Sequence, residues 1–138
     1  MAKTVPFTLI TPRDVAFEGD AELVIVVGTE GEEGILPLHA PFLTALRPGI
    51  LRANVREGDA SRRLEFATSE GFLQALPDRV TVLVDAALSH DDVDLARAHE
   101  DLQAAKERQS ATAPQSPEHA REQALIDFAN ARIELASH

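Results

Sequence analysis

All seven glycines and six of the eight prolines lie in residues 1–88, and no glycine occurs in residues 89–138. Glycine and proline cut a chain into short segments, and where they are missing a helical period can run on. Two parts of different secondary structure are therefore expected. In the first part the apolar and β-branched runs are short and end in turn residues, which is the pattern of strands. Strands are predicted at "VPFTLIT" (5–11), "DVAFEG" (14–19), "AELVIVVG" (21–28), "ILRANVRE" (50–57), "SRRLEFATSE" (61–70), "GFLQAL" (71–76) and "RVTVLVDAA" (79–87). The run 21–28 is the most hydrophobic and is expected at the centre. Within 50–57, Leu51, Ala53 and Val55 alternate with Arg52, Asn54 and Arg56, the period of two that buries one face. Many short strands at this spacing predict an antiparallel β-sandwich over 1–88, giving a fold that is mainly β with added α.

Residues 89–138 are rich in alanine. Ser89, with Asp92 three residues on, has the form of a capping box and predicts a helix starting there. Lys106 and Arg108 near its end complement the helix dipole. Leu95, Ala98, Leu102 and Ala105 form its apolar stripe. Ser116 and Pro117 supply an N-cap and a first-turn proline for a second helix, with Leu125, Phe128, Ala129, Ile133 and Leu135 as its apolar positions. The result is a two-helix hairpin over 89–138. Alanine stripes bury little area, so the hairpin is expected to be weakly held and able to detach.

Charge and composition narrow the function. Twenty-three acids against 13 bases give a net charge of −10, which argues against nucleic acid and anionic lipid as partners. Cysteine is absent, which removes disulfides and thiol catalysis. The N-terminal stretch lacks the long apolar run of a secretory signal, and no run of 18 apolar residues is present to cross a membrane. "GTEGEEG" (28–34) has no lysine, and Glu30, Glu32 and Glu33 would repel phosphate, so it is not a phosphate cradle. It reads as a turn with glycines at positive φ, or as a tip that selects a basic partner. His39, in "PLHAP", is a candidate general base or a histidine bonded to backbone. The other histidines show no metal spacing. Visible chemistry thus points away from an enzyme. A small hydrolase built on His39 and a free-standing adaptor remain as rival readings.

The stretch "GEEGILPLHAPFLTALRPGILR" (31–52) resembles the hallmark of the ATP synthase epsilon subunit family, roughly G-x-x-G-I-L-P-x-H-A-P-L-L-T-x-L-x-P-G, with Phe42 in place of a leucine. "ATSEGFLQALPDRVTVLVDAA" (67–87) and "DDVDLARA" (91–98) resemble two further family segments. The resemblance implies a non-catalytic central-stalk rotor subunit of an F-type ATP synthase, with a sandwich (1–88) on the gamma subunit and the c-subunit ring and a regulatory hairpin (89–138). It implies contact of Glu32 and His39 with the c-ring. Alpha and beta subunits would meet the helices, and the subunit would lie peripherally on the cytoplasmic face of a bacterial membrane. Some relatives inhibit ATP hydrolysis through the hairpin, and some bind ATP there through [I/L]-D-x-x-R-A and further arginines. Asp94, Arg97 and Arg132 match that pattern, whereas Leu88 and Phe128 stand where relatives carry polar groups. No cofactor is expected, and ATP binding is expected to be weak or absent.

Overall fold

The computed structural model describes residues 3–138. Nine strands come first: β1 (Val5–Ile10), β2 (Val15–Gly28), β3 (Gly31–Ile35), β4 (Phe42–Leu46), β5 (Gly49–Glu57), β6 (Ala60–Thr68), β7 (Gly71–Leu76), β8 (Arg79–Val84) and β9 (Ala87–Leu88). One 3₁₀ turn (His90–Asp92) leads to α1 (Leu95–Ser110) and α2 (Pro117–Ala136).

The expected segments 14–19 and 21–28 run together as the single 14-residue strand β2. Its first half pairs with β1 and its second with β3, while β5 takes the middle and β4 meets it at Gly28. Against β5 its register shifts between Ala21 and Leu23, a bulge that bends the strand and lets it serve both layers. The most hydrophobic run is indeed central. Pairing is antiparallel throughout except that β1 runs parallel to β8, Phe7–Ile10 beside Val80–Leu83. Alternate residues point inward. Val5, Phe7 and Leu9, Leu51, Ala53 and Val55, and Val80 and Val82 meet in one core.

Two strands were not expected. "GEEGI" carries charges and glycines where a strand would normally be β-branched, and "FLTAL" is short with Thr44 its one β-branched residue, so their local preference is weak. Pairing supplies what propensity lacks: β3 lies along β2 from Val24–Ile35 to Gly28–Gly31, and β4 along β7. The predicted turn shrinks to Thr29 and Glu30, with Gly31 at φ 123°.

The start of the first helix also differs. Ser89 and Asp92 form their capping box around the 3₁₀ turn alone, and the backbone is extended at Val93. Asp94 caps α1, its Oδ1 accepting from the Arg97 N–H at 3.1 Å. α2 starts where expected, with Ser116 Oγ accepting from the His119 N–H at 3.1 Å. α1 buries only Ala98 and Ala105, while Leu95 and Leu125 of the expected stripes are exposed. Ala131 and Leu135 of α2 pack on Ile50 and Ala67, with Val93 and Phe128 alongside. The hairpin therefore sits on the outer face of β5 and β6 through a small second cluster. Among the described residues no helix is long and apolar enough to cross a membrane.

Candidate functional site

Glu32 lies on β3, which pairs only with β2 and so forms an edge. Its side chain is 59% exposed and accepts from Arg52 Nη2 at 2.6 Å across the face of β2. His39 follows in the loop joining β3 to β4. Its Nδ1 donates to the Leu36 carbonyl at 2.6 Å, which sets the tautomer and leaves Nε2 as a buried acceptor without a partner. The ring meets Phe42 edge-on at 5.7 Å. This tight reversal depends on Leu38 at φ 65°, a left-handed conformation that is costly for a bulky residue. Leu36 and Leu38 project from the loop into solvent. Glu32 and His39 thus share one segment without a hydrogen bond or ion pair between them among the described residues. No hydroxyl or carboxylate reaches the His39 ring either, so the arrangement a hydrolase needs is not assembled around it.

A second surface lies across four strands. Ile10 on β1 is the register partner of Leu83 on β8, Leu83 of Phe72 on β7, and Phe72 of Ala45 on β4. Phe72 is 56% exposed and Leu43, two residues before Ala45, is 70% exposed. With Pro12 the row lines an open cleft of ≈ 590 Å³. A contiguous apolar row of this kind marks an interaction surface. Sequence reading missed it. The signal was present in "GFLQAL" and "RVTVLV", where both alternating sets contain large apolar residues.

The hairpin carries the third group. The Asp94 carboxylate is engaged as the α1 cap. Arg97 and Arg132 are brought together, but around Asp101: Arg97 Nε lies 3.2 Å from Asp101 Oδ1, and Arg132 Nη2 lies 3.0 Å from Asp101 Oδ2. Burial alone would raise the Asp101 carboxyl, yet the hydrogen bonds and charges of Arg132 and Arg97 together bring it below its ordinary value. Arg132 is 11% exposed, lies 4.7 Å from the Phe128 ring centroid, and has a buried Nε with no partner. About two turns nearer the connection, Arg108 Nε donates to both oxygens of Glu122 at 2.7 and 3.0 Å. That pairing holds the Arg108 guanidinium above its ordinary value. Arg97 and Asp101 show the i, i+4 spacing of a helical pair, whereas the role of Arg132 needs the fold of the hairpin.

Comparison with known proteins follows from this geometry. The sequence model of the family described as ATP synthase, Delta/Epsilon chain, beta-sandwich domain, matches residues 4–90. The ATP synthase epsilon chain of Magnetococcus marinus is 35% identical over 133 residues, 96% of this chain and 94% of that protein. That of Desulforamulus reducens is 38% identical over 136 residues, covering 99% of each. Among solved structures, a chain of the Euglena gracilis mitochondrial ATP synthase (OSCP/F1/c-ring in rotational state 1) superposes with a TM-score of 0.75 at 19% identity, over 98% of this chain and 82% of that one. That last likeness is one of fold.

Proposed function

The chain belongs to the ATP synthase epsilon chain family, a non-catalytic subunit of a membrane-associated rotary complex, and from that premise we propose how its surfaces serve a rotor in the central stalk. The β3–β4 segment faces the ring of c subunits. The observation that carries this is the placement of Glu32: it is exposed on an edge strand, beside a loop that is pinned by His39 and whose left-handed Leu38 leaves Leu36 and Leu38 exposed. Backbone strain of this kind is retained where a surface must present particular groups. Glu32 and Glu33 complement a basic loop on the partner. The apolar row Ile10–Leu83–Phe72–Ala45 takes the gamma subunit, which covers area that water would otherwise face. Torque then passes through a body whose two contact surfaces share one rigid core.

The hairpin is the regulatory part and meets the alpha and beta subunits when it leaves the sandwich. Inhibition of hydrolysis is weak. Residues 116–138 carry Arg121 and Arg132 against Glu118, Glu122, Asp127 and Glu134, a balance of −2 that opposes an acidic target. ATP binds weakly or not at all. In the cell the subunit works at the cytoplasmic face of the bacterial membrane.

The experiment is Glu32→Lys in the assembled complex. Co-purification with the membrane sector and proton-driven ATP synthesis should both fall, while the gamma complex still forms. Unchanged coupling and assembly would remove Glu32 from the ring contact.

A further inference from the structure

Two crosslinks join the helices on one side of the hairpin: Asp101 of α1 to Arg132 of α2, and Arg108 of α1 to Glu122 of α2. On each helix the crosslinked charges run negative then positive in chain order, Asp101 then Arg108 and Glu122 then Arg132. In an antiparallel pair this order matches opposite signs in one register only. A slide of about two turns, roughly seven residues, sets Arg108 against Arg132 in one direction and Asp101 against Glu122 in the other. Asp101 also lines the groove between the helices, a hollow of ≈ 300 Å³ bounded by Ala104, Leu125, Phe128, Asp101, Arg108 and Arg132. The groove has an aromatic ring, apolar sides and guanidinium groups, the chemistry that takes a planar polyanion. Yet Arg132 is already held by Asp101, which also takes Arg97 outside the groove, and Arg108 is held by Glu122. The nucleotide bound by some relatives therefore does not fit the residues as they stand here.

We propose that Asp101 and Glu122 are built-in counter-ions that clamp α1 to α2 in one register and close the groove to external anions. The clamp rests on the reading that this chain binds no nucleotide and supplies its physical cause. An internal carboxylate stands beside its arginines at very high effective concentration, so an anion in solution must displace it rather than merely arrive. The orphaned Arg132 Nε is the donor left over when one carboxylate serves two guanidinium groups.

The test is calorimetric titration of the full chain with sodium tripolyphosphate and with ATP at low salt. Wild type should give no saturable binding below about 1 mM, an affinity near the floor of specific recognition. Asp101→Asn, which keeps the shape and removes the charge, should bind tripolyphosphate at least about tenfold more tightly, the worth of one charge-assisted hydrogen bond. Adding Arg132→Gln should cancel that gain. Glu122→Gln provides an independent reading at Arg108, with gain in the same direction. Amide exchange in the β1–β8 core reports that each variant keeps its sandwich. Failure of both single variants to bind more tightly than wild type overturns the clamp, while the absence of nucleotide binding would still stand. Micromolar binding by wild type overturns both.

Discussion

Leu135→Ala should weaken the docking of the hairpin on the sandwich without unfolding the sandwich. Leu135 is 1% exposed and packs with Ala131 on Ile50 and Ala67. It takes no part in the sandwich core, whose residues are a separate set. Replacing a buried leucine by alanine costs about 2–5 kcal/mol, least where the surroundings can close over the gap. The cluster around Leu135 is small and lies outside the main core, so the lower part, about 2–3 kcal/mol, applies. That is roughly a 30- to 150-fold change in the docking equilibrium. Alanine is the better helix former, so α2 itself is not weakened. Native-state hydrogen exchange separates the terms. Amides of α1 and α2 should exchange faster by about that factor, because a free two-helix hairpin is marginal in water. Amides of β1, β7 and β8 should keep their rates. Equal acceleration in strands and helices would mean one cooperative unit and refute the division. Unchanged helix rates would mean that docking does not depend on this cluster.

Deleting residues 89–138 should leave a sandwich that unfolds cooperatively in urea and still binds gamma, since the large core lies wholly within 1–88; a molten or insoluble product would count against this. Gly71→Ala should destabilise the sandwich by about 3 kcal/mol, the upper part of the range for overpacking. A Cβ there would stand 1.9 Å from the Leu83 carbonyl oxygen and 2.7 Å from Val84 Cγ1, so backbone has to move; a loss below about 1 kcal/mol by urea unfolding would contradict it. Asp101 sets a pH dependence. Its folded value is lowered by Arg132 and Arg97, so its contribution is present above the ordinary value of 3.8 and is lost as pH falls through the folded value. Arg108, on the same helix, also interacts with it by charge. The Asp101 contribution to helix protection should thus be constant between pH 5 and 8: wild type and Asp101→Asn should differ by a fixed factor over that range and converge in acid.

The change from strands to helices after residue 88, the central place of 21–28, the inward face of β5 and the cap of α2 were all readable from sequence, because each depends on neighbours within a few residues. Period of two, N-cap chemistry and turn residues act locally, and nothing distant overrules them here. The hallmark segment placed Glu32 and His39 together for the same reason. What sequence could not decide depends on pairing across the chain. β3 and β4 have weak propensity and exist because β2 and β7 offer them free edges. Arg52 reaches Glu32 only because β2 lies between their strands, 20 residues apart in sequence. Phe72 and Leu83 look like core residues and become surface only when β7 and β8 choose which alternating set to bury. Arg97 and Arg132 matched a ligand motif as letters, but a motif does not say which charges the fold sets beside them. The antiparallel return of α2 brings Arg132 to Asp101, and that contact between residues far apart in the chain turns a potential anion site into a closed clamp.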